Sequence, residues 1–216
     1  MERRIALKNM GMAFGLTIAT PTIISILQSC QGEQTTSWTP VFFTPEQGAV
    51  LTVLVDIIIP KTDTPSASEV GVHQFIDRYV QEVSSIADQQ LITAGLNALI
   101  AQASNASGKN DTHDLNAEDL ESILATALAP RSPEAALELS EAVNSFNEAL
   151  SENGTATLKN DLAVAWFAQN LRGSVIWAYK SSEFIGEEVL AYLPVPGAYV
   201  PCGDVNELTG GKAWSL

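Results

Sequence analysis

TPEQGAVLTVLVDIIIPKTDTPSASEVGVHQFIDRY, residues 44–79 of a 216-residue chain, reads as a greasy helix, a rigid loop and a second helix. Thr44 offers a hydroxyl cap, Pro45 stands where a missing N–H costs nothing, and Gln47 lies three residues after the cap, from where its side chain reaches back. The helix is expected to run to Pro60. Val50, Leu51, Leu54, Val55 and Ile58 follow the helical repeat, and Val53, Ile57 and Ile59 cover much of what remains, which suits the middle of a bundle. β-Branched residues crowd Leu51 to Ile59 and make a strand the competing assignment; the caps and the spacing favour helix. Asp56 is expected at an exposed margin or paired with Lys61 or Arg78, since no second acid lies nearby on the same face to make it catalytic. Lys61 to Ser68 is rich in residues that bond their own backbone, hence a shaped loop. The second helix, from about Glu69, places Val72, Phe75, Ile76, Tyr79 and Val80 inward and Gln74, Asp77 and Arg78 outward.

Further amphipathic segments follow. Leu91, Ile92, Leu96, Leu99, Ile100 and Ala103 mark a third helix, dissolving into a surface loop from Ser104 to Thr112. Asn116 caps a fourth, with Leu120, Ile123, Leu124, Ala127 and Leu128. Ser132-Pro133 opens a fifth, whose Leu139, Val143, Phe146 and Leu150 are spaced as in a bundle seam and which Asn153-Gly154 ends. The sixth, about Ala156 to Tyr179, holds Leu162, Ala165, Trp166, Leu171, Val175, Ile176 and Trp177, aromatic spacing read as core rather than as a cofactor box. No repeat and no strand-rich segment interrupts. The expected fold is all-α, a single-domain irregular helical bundle over residues 44–216 with an extended Pro-rich C-terminal tail.

Residues 1–29 read as an address. Arg3 and Arg4, with Leu7 and Lys8 behind them, stand at the offsets of a twin-arginine signal, and Asn9 to Ser29 carries no charge. An ordinary secretory signal or a retained membrane anchor is the alternative, and Thr17, Thr20, Pro21, Thr22 and Ser25 make the segment a poor anchor. Leu27-Gln28-Ser29-Cys30 resembles a bacterial lipobox; acylation of Cys30 would hold the domain at a membrane at roughly 0.8 kcal/mol per buried CH₂, and Gln31 after it favours the outer membrane of the periplasmic envelope. Residues 30–43 read as a tether.

Removing residues 1–29 leaves 187 residues with 8 Lys+Arg against 24 Asp+Glu, a net charge of −16 compared with −14 for the full chain. Nucleic acid and anionic lipid headgroups are poor partners for such a surface. With Cys30 lipidated, Cys202 is the remaining thiol: buried, simply exposed, or paired with another chain.

Two regions carry a family resemblance. Asp56-Ile57-Ile58-Ile59-Pro60-Lys61-Thr62-Asp63-Thr64-Pro65 followed by Gly71-Val72-His73-Gln74-Phe75-Ile76-Asp77 resembles the gluconate 2-dehydrogenase subunit 3 family, with Ser66 where the family usually has glycine. The C-terminal region adds a Tyr179-x-Ser-Ser182-Glu183 step, Tyr192-x-Pro194-x-Pro196-Gly197-x-Tyr199, and a closing Trp214-Ser215. The resemblance implies a small accessory subunit without a cofactor of its own. Its partner would be a large FAD-containing dehydrogenase of the glucose-methanol-choline type, sometimes joined by a cytochrome c subunit that carries haem. The implied contact regions contain Asp63, Thr64, Pro65 and His73 on one side, and Ser182, Glu183, Tyr192, Pro194, Pro196, Gly197, Tyr199 and Cys202 on the other. A stiff proline-rich tail loses little entropy on docking, yet it could equally wrap its own bundle.

Chemical signatures of an independent enzyme are missing. There is no G-x-G-x-x-G after a strand, Thr209-Gly210-Gly211-Lys212 lacks the upstream glycine of a phosphate loop, and neither C-x-x-C-H, His-Glu-x-x-His nor G-x-S-x-G occurs. No catalytic, cofactor-binding or metal-binding residue is therefore assigned. Two other readings stay open: a free-standing envelope lipoprotein acting as a small-ligand binder or scaffold, and, ranked last, an enzyme built on Asp56, His73 and Asp77.

Overall fold

Helix α1, Pro45–Ile58, begins as its sequence dictates: the Thr44 hydroxyl accepts the Gln47 N–H while the Gln47 side chain accepts the Thr44 N–H. It stops two residues short of Pro60, with Ile59 at φ −129°, because a residue that precedes proline is pushed out of the helical region. The computed structural model describes residues 38–195, 197 and 202–215. Arg3, Arg4, Leu7, Lys8 and Cys30 of the expected signal, and Pro196 and Tyr199 of the tail, lie outside the described residues.

The remaining helices are α2 (Val72–Glu82), α3 (Ile86–Ser107), α4 (Ala117–Leu128), α5 (Pro133–Asn153), α6 (Asn160–Lys180) and a short α7 (Val205–Thr209). A 3₁₀ turn at Thr112–Asp114 and a π-helical turn at Ile185–Val189 join them. Among the described residues the one β contact is an isolated parallel bridge between Ala191 and Trp214, so the fold is all-α. Residues 40–216 make one compact unit.

The centre of the bundle is the α3–α6 pair rather than α1, although α1 touches α2, α3, α4 and α6. Leu91, Leu96, Leu99 and Ala103 of α3 face Ala163, Phe167, Leu171 and Val175 of α6, all buried; each leucine contributes on the order of 2 kcal/mol of burial. Their close approach depends on Gly95. A methyl group there would lie 2.3 Å from Phe167 Cβ and 2.7 Å from the Ala163 carbonyl oxygen. α5 leans on the outside of α6, where Leu139, Leu162 and Ala165 form a smaller cluster with Val143, Leu158 and Trp166 around it.

Besides the end of α1, three boundaries differ from the sequence reading. α2 begins at Val72 rather than near Glu69, because the turn before it ends in Gly71 at φ 77°. α3 does not dissolve at Ser104 but continues to Ser107, because Gly108 at φ 71° supplies a left-handed cap whose N–H returns to the Ser104 carbonyl. α6 starts at Asn160, after Lys159, which offers no side-chain cap; residues 155–159 are non-helical instead.

Candidate partner-docking surface

The loop from Pro60 to Gly71 is shaped by carboxylates on either side of it. Asp56, on the last turn of α1, accepts the Ser68 N–H at 2.7 Å and the Ser68 hydroxyl at 2.6 Å. It pairs with neither Lys61 nor Arg78: the loop folds back over the end of α1 and brings Ser68 to it, as does the Ala67 N–H donated to the Ile59 carbonyl. Glu69 accepts the Ser66 N–H at 2.8 Å through one oxygen and an ion pair from Lys61 through the other. The bond from Lys61, then the Ser66 N–H, hold its carboxyl below the usual range. Ser66, at the position where glycine is usual, is buried, its hydroxyl 3.3 Å from that of Ser68.

Tyr179 joins this loop to the other end of the chain. Its ring is buried on the last turn of α6, and its hydroxyl lies 2.7 Å from the Pro65 carbonyl oxygen, to which it donates, and 3.1 Å from Thr64 Oγ1. Beyond α6 the Ser182 hydroxyl turns back to the Tyr179 carbonyl, and the π-helical turn follows. A groove of about 680 Å³ results, lined on one side by Pro65, Glu69 and Val70 and on the other by Ser182, Glu183, Phe184, Glu187 and Glu188. The resemblance-derived residues Pro65, Ser182 and Glu183, some 120 positions apart, thus meet at one surface. Thr64 is half-buried against Tyr179, and Asp63 is exposed beside it.

His73 does not belong to that surface. It is 8% exposed, on the inner side of α2, and burial lowers its pKa, with Asp56 and Asp77 pulling in the opposite direction. Asp77, expected outside, is fully buried and accepts three consecutive backbone N–H groups, from Val41, Phe42 and Phe43, at 2.7, 3.0 and 3.1 Å. Residues 41–43, counted with the tether in the sequence, are thereby held to the domain, and Phe43 is buried. Nothing in one sequence reveals a contact 34 to 36 residues long. Only a carboxylate satisfied by this many donors resides at such depth.

The converse displacement affects three aromatic residues. Phe75, Tyr79 and Trp177, expected in the core, are 41–45% exposed and pack against one another with ring centroids 5.3 to 5.9 Å apart, Phe75 stacked on Tyr79 and Trp177 edge-on to both. They flank a cleft of about 410 Å³ between α2 and α6, floored by Ile76, Val80 and Ile92. Helical spacing placed them on the apolar side; the α2–α6 crossing covers only part of that side.

The tail is tied to the chain's own last residues. The Ala191 N–H donates to the Ala213 carbonyl and the Ser215 N–H to the Ala191 carbonyl, both at 2.9 Å. Tyr192, Pro194, Gly197 and Cys202 remain exposed, and Cys202 is a free thiol. Thr209 to Lys212 closes α7 as a turn, the Thr209 hydroxyl donating to the Lys212 carbonyl at 2.6 Å. Among the described residues no group of three or more His, Cys, Asp or Glu side chains is placed to hold a metal ion, and no helix is long and apolar enough to cross a membrane. The described residues contain no strand–helix–strand unit on which a dinucleotide could rest.

No curated protein and no solved structure matches the chain closely enough to extend the comparison. The family model described as Gluconate 2-dehydrogenase subunit 3 matches residues 45–197, from the first turn of α1 through the loop, the bundle and the exposed tail segment, and the chain accordingly belongs to the gluconate 2-dehydrogenase subunit 3 family.

Proposed function

We propose that this chain is the non-catalytic small subunit of a membrane-associated, FAD-dependent dehydrogenase of the glucose-methanol-choline type, acting on the CH–OH group of a sugar, sugar acid or polyol. The flavin and the catalytic base belong to the large subunit, and haem c to a cytochrome subunit where one is present. The small chain's work is to assist maturation of the flavoprotein, to carry it in folded form through the twin-arginine route by Arg3 and Arg4, and to hold it at the periplasmic face of a membrane, the outer one, through acylated Cys30.

Family membership supports the subunit role, and the observation that carries the docking role is the Tyr179 link. A buried tyrosine fixes the 60–70 loop against the segment after α6, so two regions far apart in sequence present one preformed, exposed groove. A preformed surface docks with little loss of conformational entropy.

The test is a mild-detergent affinity purification of the full chain from its native host, with a flavin absorption spectrum of the eluate. A yellow complex holding a large flavoprotein in near-equal amount is expected. A colourless protein eluting alone, also after crosslinking, would overturn the reading and leave a free-standing envelope lipoprotein.

A further inference from the structure

The groove beside Tyr179 is both apolar and strongly acidic. Pro65, Val70 and Phe184 line it, and Phe184 is 51% exposed. The π-helical turn behind Phe184 presents Glu187 and Glu188 to the same groove that Glu183 enters. Glu69 is held by Lys61, whereas the carboxylates of Glu183, Glu187 and Glu188 form no ion pair or hydrogen bond among the described residues. Three uncompensated carboxylates within six residues repel one another, and an exposed phenylalanine between them gains nothing from water. The two features together describe a surface whose electrostatic and apolar costs are relieved by the same occupant.

We propose that this groove receives a segment of the dehydrogenase subunit that carries lysine or arginine beside an apolar side chain. The cations lie against Glu183, Glu187 and Glu188, and the apolar group lies on Phe184 and Pro65. The assignment rests on the accessory-subunit reading and says which face of this chain docks. Charge decides between this groove and the aromatic cleft of Phe75, Tyr79 and Trp177: the cleft has apolar character but nothing that specifies its occupant, whereas the groove demands a positive one. Opposite charges at a rim act chiefly on the rate of association and make it dependent on salt.

The experiment uses the full-length chain and the flavoprotein purified as a complex, then separated and re-bound. Binding is measured between about 50 and about 500 mM NaCl for the wild type, for Glu187→Lys/Glu188→Lys, for Phe184→Ser, and for a control, Glu118→Lys/Glu121→Lys, on the exposed side of α4. The groove charge reversal is expected to weaken binding about tenfold or more at low salt and to flatten the salt dependence, with the control close to wild type. Carbodiimide coupling of the wild-type complex is expected to join Glu183, Glu187 or Glu188 to lysines of the flavoprotein. Unchanged circular dichroism and Tm establish that the variants fold. If the wild type binds the flavoprotein and the groove variants bind equally well, or the couplings map elsewhere, the groove is not the docking face although the subunit reading stands. If a wild-type chain captures no flavoprotein, the subunit reading itself fails. If the groove substitutions instead change the oligomeric state of the isolated chain, the occupant is a second copy and the proposal is overturned.

Discussion

Asp77 is held in the interior by three successive peptide N–H groups that converge on its two oxygens. An amide in its place would turn an NH₂ toward at least one of those donors, leaving a buried N–H unsatisfied. Asp77→Asn is expected to cost about 3 kcal/mol, read as a lowered urea midpoint, and to release residues 41–43 to proteolysis. An unchanged midpoint would show that the clamp contributes little. His73 works differently. Its folded-state pKa lies below the ordinary value of 6.5, so the unfolded chain binds the proton more readily. Its contribution to stability is complete above pH 6.5 and is lost as pH falls toward its folded value. Stability should fall between neutral and mildly acid pH by no more than about 1.4 kcal/mol per pH unit from this residue, read as a lowered Tm. His73→Gln should flatten that part of the profile, and a profile that keeps its slope would assign the dependence to other groups.

At the scale of elements, the α3–α6 contact and the loop–α6 link do separate jobs. Gly95 lets the two central helices touch backbone to side chain, and the nearest neighbours of an added methyl are a Cβ and a carbonyl, neither of which can swing away. Alanine is the better helix former by about 1 kcal/mol, yet the clash must move one helix. Gly95→Ala is therefore expected to be net destabilising by about 1–3 kcal/mol, measured by thermal unfolding; a stabilised variant would mean that the pair yields easily. The link at Tyr179 contributes less to stability and more to shape. Tyr179→Phe keeps the buried ring and removes the bonds to Pro65 and Thr64, so a loss of about 1 kcal/mol is expected, together with weaker capture of the flavoprotein. Full capture by this variant would show that the groove does not need a fixed loop.

For the whole molecule, the acidic balance and the N-terminal motif act together. A net charge of −14 disfavours contact with a nucleic-acid backbone, and under the proposed accessory-subunit role a twin-arginine signal at Arg3 and Arg4 would serve a partner that folds around its flavin before export. Arg3→Lys/Arg4→Lys is expected to abolish dehydrogenase activity in the periplasm while flavoprotein accumulates in the cytoplasm. Periplasmic activity that survives the substitution would mean that the large subunit travels independently.

Residues close in sequence determined most of the architecture. The Thr44–Gln47 box, Ser132-Pro133, Asn116 and the 3–4 spacing of leucines fix where helices lie, because capping and amphipathicity are local. The same is true of the motifs that mark the family. What only the tertiary structure decided are the contacts spanning tens of residues. Asp77 is drawn inward by the backbone of residues 41–43, and Asp56 is turned to Ser68. Phe75, Tyr79 and Trp177 are left outside by the way α2 crosses α6. Pro65 and Glu183 meet at one groove because a single tyrosine hydroxyl reaches across 114 residues to the loop. Periodicity says which side of a helix is apolar; how much of that side a neighbour covers, and which distant donor reaches a carboxylate, depends on packing that no local pattern encodes.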